Sequence, residues 1–351
     1  MSIGAAVFPS GLPDPRMPSP GEIEVVEAIG QTTQFRLRYG MSIEDGDLPL
    51  LSDSLLDPDS ILSVVIPGEA LPQILVNGPV VRHDINFVQG GDGSTLEVIG
   101  CDQTCILDRE NKAAVFSNVN DSTVVMTILA QYGIVPDVEP TTIVHSDLKH
   151  ALVQRESDLR FIRKLARRNG YWFWLSEQAP GVTIGHFKSP PINGQPQADI
   201  RINVSDPNVD QVKLYWNSER PVAADLSQVD LNSLTTLDGQ SERSTISGLA
   251  SQHLADIVGS ERKIHLAIPS DESSELAARG NSALIDHGWF IRVKLTLRFS
   301  VIGKVIRTHS LVSLAGLGQR HSGLYLVAKV NHTFTEDDHT MVVELIRNAW
   351  N

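Results

Sequence analysis

Residues 157–174 read SDLRFIRKLARRNGYWFW, and this segment indicates how the middle of the chain folds. Ser157 is a typical helix N-cap and Gly170 is a typical helix stop. Between them, apolar residues recur at the three- and four-residue spacing of an amphipathic helix. The aromatic run from Tyr171 to Leu175 then has the composition of a β-strand. The segment therefore predicts a helix that leads directly into a strand.

The polar face of this helix carries a continuous positive stripe. The stripe consists of Arg160, Arg163, Lys164, Arg167 and Arg168. Residues at this spacing share one face of a helix, where they can meet acidic groups of the same chain, another subunit or nucleic acid, or simply remain solvated. The formal net charge of −13 disfavours duplex nucleic acid and favours an acidic partner within or between subunits. We therefore predict that these five residues form an interface.

β-rich segments flank this region on both sides. Before it, short alternating segments are separated by turns, of which Asn77-Gly78 is a strong hairpin signal. A second helix is expected from Asp121 to Gly133. After it, strand patterns return, with a long polar loop at 223–244 and helices at 249–258 and 275–287.

The fold class that these patterns predict is α+β and mainly β. We expect four parts, which are a flexible Pro-rich arm (1–20), a first antiparallel β-module (21–110), a mixed α/β insertion (111–200) and a second β-module with helices (201–351).

No catalytic, metal-binding or cofactor-binding motif stands out. The histidines are scattered, and the sequence has no H-E-x-x-H pair, no G-x-S-x-G elbow and no phosphate-binding G-x-x-x-x-G-K. His83-Asp84 and His145-Ser146-Asp147 lie where a turn or a strand edge is expected. The prediction is a protein that is not an enzyme and holds no cofactor.

Two other function classes stay open. A cell-wall or glycan hydrolase would need two carboxylates that converge in a cleft, and acidic residues are plentiful. A glycan- or effector-binding module could use Trp172 and Trp174 as a platform.

The expected location follows from cysteine content and hydropathy. Cys101 and Cys105 do not form a disulfide framework, so folding in a reducing bacterial cytoplasm is expected. No signal peptide and no apolar run of about 18 residues is present, so no membrane span is expected.

Several segments together resemble the phage late control protein D family, which includes baseplate hubs of contractile phages and the first part of VgrG spike proteins. The segments are Leu96–Gly100 with Asp102, Leu107 and Arg109; Phe116–Asn118 with the helix to Gly133; Gln154–Phe173; and Gly323–Val327, Val330–His332 and Val343–Asn348. The resemblance runs from about Gly21 to the C-terminus and rests on the order and spacing of these motifs.

The resemblance implies two tail-tube-like β-barrel modules joined by the mixed region. It also implies a homotrimer, in which six barrels surround a pore between a hexameric tube, or a tube-initiator protein, and a trimeric spike. Other baseplate proteins of a tail-like particle are further expected partners. The final strand, with Val343 and Leu345, is expected to close a barrel and contribute to an interface. Because the sequence ends at Asn351 without a needle-like segment, the spike is expected to be a separate protein.

Overall fold

The fold is described here from a computed structural model. The structure describes residues 4–42, 48–66, 68, 72–147, 151–230, 235–259, 262–266 and 273–351. Parts of two predicted segments, residues 1–3 of the arm and 231–234 of the polar loop, lie outside these ranges.

The N-terminal strands follow the predicted alternation of apolar and polar residues. In Gln34–Gly40 the side chains of Phe35, Leu37 and Tyr39 are buried, whereas their neighbours face solvent. This is the period of a strand that is covered on one face. The strands are β1 (Ala6–Pro9), β2 (Glu22–Ala28), β3 (Gln34–Gly40), β4 (Ile61–Ile66), β5 (Gln73–Asn86) and β6 (Thr95–Cys101). Short 3-10 turns span Pro49–Ser52 and Ser54–Leu56.

The middle region alternates helices with short strands. Its elements are α1 (Thr104–Leu107), β7 (Ala114–Phe116), β8 (Val119–Asn120), α2 (Asp121–Gln131), β9 (Val135–Val138), β10 (Val144–His145), β11 (Leu152–Gln154), α3 (Asp158–Asn169), β12 (Trp172–Ala179) and β13 (Val182–Lys188). Helices α2 and α3 share a core with Phe173 and Phe187 of the strands behind them.

The C-terminal part is again mainly β. Its elements are β14 (Asp199–Arg201), β15 (Val212–Trp216), β16 (Ala223–Asp230), β17 (Thr235–Ser241), β18 (Gln252–His253), α4 (Leu254–Val258), β19 (Lys263–Leu266), α5 (Ser273–His287), β20 (Ile291–Arg298), α6 (Phe299–Ile302), β21 (Leu311–Ala315), α7 (Gly318–His321), β22 (Gly323–Phe334), β23 (His339–Arg347) and β24 (Ala349–Trp350). The prediction of a mainly β, α+β fold is confirmed.

One twelve-stranded sheet combines the N-terminal and C-terminal strands. Along it the strand order is β1-β4-β5-β6-β3-β2-β22-β23-β20-β15, with β21 also paired to β22 and β14 to β21. Every neighbouring pair on the main path is antiparallel. The two β-rich ends of the chain therefore belong to one continuous hydrogen-bonded surface.

The two ends meet where β2 pairs with β22, from Ile23 opposite Phe334 to Ala28 opposite Lys329. Phe334 of β22 is fully buried in the N-terminal core. Across the same seam, Arg307 Nε donates to Glu27 Oε1 at 2.6 Å, and its Nη2 donates to the carbonyl of Leu75 at 2.8 Å. Backbone pairing, a shared core and a buried ion pair therefore hold the N-terminal and C-terminal strands together.

The prediction of a hairpin turn at Asn77-Gly78 is wrong. Both residues lie inside the continuous strand β5 and are buried. A Cβ at Gly78 would lie 1.9 Å from the carbonyl oxygen of Cys101, so the glycine permits close backbone approach of β6. The Asn77 side chain accepts a hydrogen bond from Ser63 Oγ at 2.7 Å. Close packing, rather than chain reversal, explains this dipeptide.

The predicted loop at 223–244 is also largely regular structure. β16 pairs with β17 and with β19, and α5 covers the resulting small sheet. Leu226 packs there against Leu276 and Leu284 of α5. The stabilising apolar partners come from about fifty residues further along the chain, which explains why the local pattern looked loop-like. The predicted helix at 275–287 is confirmed, whereas the one at 249–258 is confined to Leu254–Val258.

Part of the expected flexible arm is a strand. Ala6–Pro9 forms β1, which pairs with β4 at one end of the large sheet, and Val7 is buried. Pro9 ends this strand. Because β1 lies at the edge of the sheet, the backbone N–H that proline lacks is not needed for pairing.

Candidate assembly surface

Helix α3 is built as its sequence predicts. Ser157 Oγ accepts a hydrogen bond from the Arg160 backbone N–H at 3.3 Å, and Gly170 ends the helix with a left-handed φ of 70°. Its apolar residues, Leu159, Phe161, Ile162, Leu165 and Ala166, are all buried. The cations consequently share the opposite face, but the structure places them in three different environments.

Arg168 lies in a buried polar network. Its guanidinium forms an ion pair with Asp121 and contacts His145 Nε2, which lies 2.9 Å from Asp121 Oδ1. Asn169 Nδ2 also donates to Asp121 Oδ2 at 2.7 Å. Asp121, the first residue of α2, is 2% exposed. Arg168 therefore joins α3 to α2 inside the protomer and is not available to a partner in this structure.

Arg160 and Lys164 form surface ion pairs. Arg160 Nε lies 3.3 Å from Asp108 Oδ1, and Lys164 Nζ lies 3.2 Å from Glu156 Oε1. Both cations are more than half exposed, so solvent screens these pairs and each contributes at most about 1 kcal/mol.

Arg163 and Arg167 have carboxylates near them but not in direct contact, since Asp102 and Asp108 act electrostatically on Arg163 and Arg167 acts on Asp286. Neither forms an ion pair within the part of the chain that the structure describes. Arg163 Nη2 reaches only Thr32 Oγ1, at 3.4 Å, and its Nε is buried without a hydrogen-bond partner. Burial lowers the pKa of Arg163, which reflects the cost of keeping this charge away from water.

These side chains line an open cleft of about 500 Å³. Arg160, Arg163, Lys164 and Arg167 contribute its positive wall, and Glu156 and Tyr171 are among the other lining residues. We refer to this feature as the basic cleft. Four cations around one acidic residue give it a positive potential on a chain whose formal net charge is −13.

Val343 and Leu345, the other residues predicted for an interface, lie in the core of the protomer. Both are fully buried on β23, opposite Val330 and Val327 of β22 and Leu295 and Val293 of β20. The strand thus lies inside the sheet, and these two side chains face the hydrophobic core rather than an open surface.

The aromatic strand β12 is engaged inside the molecule. Trp172 is 9% exposed and packs against Trp289, with ring centroids 5.6 Å apart. Trp174 stacks on His309 at 4.1 Å and on His186 at 4.7 Å. Contacts within the protomer therefore occupy the rings that a ligand platform would need.

A hydrogen-bonded series of Ser, His and Asp side chains begins just after Trp174, and no motif in the sequence indicated it. His186 Nε2 lies 2.7 Å from Ser176 Oγ, and His186 Nδ1 lies 2.6 Å from Asp137 Oδ2. Lys188 Nζ also donates to Asp137. The three residues lie on β12, β13 and β9, and only their strand register brings them together, so local sequence spacing could not reveal them.

Ser176 faces a cavity of about 220 Å³ beside the contact between the N-terminal and C-terminal strands. Its acidic lining residues are Glu27, Asp102 and Glu177. Asp102 accepts hydrogen bonds from the backbone N–H groups of Thr33 and Thr104. Burial raises the pKa of Glu177 to about 7. Among the described residues, no three His, Cys, Asp or Glu side chains are arranged to hold a metal ion.

The two histidine motifs of the sequence have structural partners. His83 Nε2 lies 2.8 Å from the carbonyl oxygen of Leu56, and His145 belongs to the Arg168 network. Within the described residues no helix is long and apolar enough to cross a membrane.

The fold is that of bacteriophage-type tail proteins. A tail protein from Neisseria meningitidis MC58 superposes with a TM-score of 0.69 at 12% identity, covering 100% of this chain and 98% of that one. The 43 kDa tail protein of prophage MuSo2 from Shewanella oneidensis gives 0.64 at 14% identity, covering 94% of each chain. The E. coli c3393 protein, a component of the type VI secretion system, gives 0.59 at 12% identity over 97% of this chain and 76% of its own.

The chain belongs to the family described as the Alg8 N-terminal domain, whose model matches residues 23–336. No curated protein matches the sequence. The expected tail-like fold is thus confirmed, whereas membership of the late control protein D family stays a prediction.

Proposed function

We propose that this protein is a structural hub subunit in the baseplate of a contractile, phage-tail-like injection particle. The observation that supports the proposal most is the seam between β2 and β22, which puts two antiparallel β-modules side by side in one sheet. The almost full-length likeness to tail proteins is in keeping with it.

The pairing of β2 with β22 would allow one assembly to match two different symmetries. Three copies with two modules each present six modules to a hexameric tube, while the assembly keeps the three-fold symmetry of a spike. The Glu27–Arg307 pair and the shared core hold the modules in a fixed relation, so each copy acts as one rigid sector. A closed ring of such sectors is a homotrimer.

The ends of the sheet are suited to contact neighbouring chains. On the path of the large sheet, β1 and β15 are the terminal strands. Tyr215 and Trp216 of β15 are 55% and 49% exposed. Terminal strands have backbone groups that can pair with another chain, and closure into a ring removes such edges.

We further propose that the Ser176-His186-Asp137 chain is a cross-strand clamp and not a nucleophilic site. A serine hydrolase must stabilise an oxyanion next to its nucleophile, whereas the cavity beside Ser176 is lined by three acidic residues. The guanidinium of Arg307 is already used by Glu27 and by the carbonyls of Ile74 and Leu75. Labelling of Ser176 by a fluorophosphonate probe, with Ser176→Ala as the control, would overturn this part of the proposal.

Native mass spectrometry tests the hub assignment. The purified protein is measured alone and with the candidate spike protein of the same particle. The expected result is a species of three chains, formed either by the protein itself or on addition of spike. A monomer under both conditions would contradict the proposal and leave only the fold.

A further inference from the structure

The charge distribution of α3 leaves two arginines open to direct contact with an anionic partner. Arg163 and Arg167 have no ion pair among the described residues, and Arg163 Nε is buried without a partner. Arg163 is partly buried, and Asp102 and Asp108 act on it without forming an ion pair. A carboxylate in direct contact would lower the cost of burying its charge. The basic cleft can therefore accept a further carboxylate.

A complementary acidic feature lies on another part of the same chain. The turn between β22 and β23, Thr335–Asp338, carries Glu336 and Asp337, both exposed and without an ion pair among the described residues. We refer to it as the acidic turn.

The acidic turn has a defined shape and an apolar neighbour. Thr335 N donates to the Asp338 carbonyl at 3.1 Å, and Ser300 Oγ donates to Asp338 Oδ2 at 2.7 Å. Beside it, Phe299 and Val301 of α6 are 40% and 51% exposed. A charged turn held by hydrogen bonds next to exposed apolar side chains is a surface that can dock without losing much conformational freedom.

We infer that the acidic turn of one copy docks into the basic cleft of the next copy, with Glu336 and Asp337 paired to Arg163 and Arg167. The inference rests on the proposed ring, since it names the contact that would close it. Charge complementarity and the open volume of about 500 Å³ support this occupant, because the volume accommodates two carboxylate side chains.

This contact would produce a ring rather than a two-fold dimer. The cleft and the turn are different surfaces, so their contact is heterologous, and two joined copies together still have one free cleft and one free turn. Such a contact continues from copy to copy until the ring closes. A self-complementary patch would instead give a two-fold dimer.

The test is a charge exchange read out by native mass spectrometry of the full chain. Arg163→Glu with Arg167→Glu, or Glu336→Arg with Asp337→Arg, should each weaken trimer formation at least tenfold. Combining all four substitutions should restore it. Lys304→Glu, an exposed cation without an ion pair among the described residues, is the matched control and should leave the trimer unchanged. If Arg163→Glu impairs folding as judged by circular dichroism, Arg167→Glu alone replaces it, because that side chain is exposed.

The outcomes separate this inference from the proposed function. Trimers that survive both reversals would overturn the docking contact and leave the hub assignment standing. Loss of trimer on reversal without recovery in the fourfold variant would assign the cleft to a different acidic segment and overturn the role of the turn. An unaltered protein that stays monomeric with and without spike would contradict the hub assignment itself.

Discussion

Arginines have different surroundings at the two ends of the polar face of α3. Arg168 contacts Asp121 and His145 directly, whereas Arg163 and Arg167 line an open cleft and form no ion pair among the described residues. A positive stripe read from sequence treats these residues as equivalent. The structure separates one arginine that stabilises the protomer from two that remain available to a partner.

The largest expected effect is at the enclosed end. Asp121→Ala would leave the Arg168 guanidinium buried without its counter-charge, and we expect a loss of about 3–5 kcal/mol in the free energy of unfolding. Urea denaturation measures it. The double variant Asp121→Ala with Arg168→Met should recover much of the loss, because the unpaired Arg168 charge is then also removed. A double variant as unstable as the single one would show that Asp121 acts mainly through other contacts.

His309 extends the comparison between paired and unpaired ionisable groups, because it is partly buried and has no ion pair among the described residues. Burial, then the nearby His186 and Arg307, lower its pKa to about 3. A lowered pKa means that the folded protein favours the neutral ring. The contribution of His309 to the free energy of unfolding is therefore complete above pH 6.5 and is lost as the pH falls from there toward 3. We expect stability to fall by about 1.4 kcal/mol per pH unit below 6.5.

His309→Phe keeps a flat ring against Trp174 and removes the titrating group. Urea midpoints of the two proteins at pH 7.5, 6 and 5 should diverge, with the variant less sensitive to acid. Parallel curves would show that other histidines, such as His339 with its pKa of about 4, carry the acid sensitivity.

A smaller effect on the free energy of unfolding is expected at the start of α3, the helix that carries all five cations of the stripe. Ser157→Ala removes the N-cap and should cost about 1 kcal/mol in the free energy of unfolding. Ser157→Asp restores an acceptor at this position, but it also places a charge beside Asp108, the second partner of Ser157. Recovery by Ser157→Asp would assign the effect to the cap, whereas recovery by Ser157→Thr alone would assign it to the hydrogen bond with Asp108.

The smallest effect on stability is expected at the open end. Arg167→Gln should change the free energy of unfolding by less than about 0.5 kcal/mol, because the side chain is exposed and unpaired in the described structure. A loss comparable to that of Asp121→Ala would remove the distinction between the two ends. Denaturation of both variants in one buffer makes the comparison direct.

The sequence could predict features that depend on neighbours within one helix or strand. The caps and apolar stripe of α3 are local, and both are as expected. Asn77-Gly78 was misread because its conformation depends on the close approach of β6. The hairpin of β16 and β17 was missed because α5 supplies its apolar cover.

In the candidate site, too, local features could be predicted and features that depend on distant residues could not. The positive stripe was visible in the sequence, but its division into enclosed and open arginines depends on Asp121, 47 residues before Arg168. The Ser176-His186-Asp137 chain depends on the register of three strands. Long-range register and burial are therefore what the sequence did not reveal.

Electron microscopy of the protein with its spike tests the central claim most directly. The account predicts a three-fold ring whose wall contains six β-modules around a central pore, two from each chain across the β2–β22 seam. A two-fold dimer, or a particle in which each chain remains separate, would contradict it.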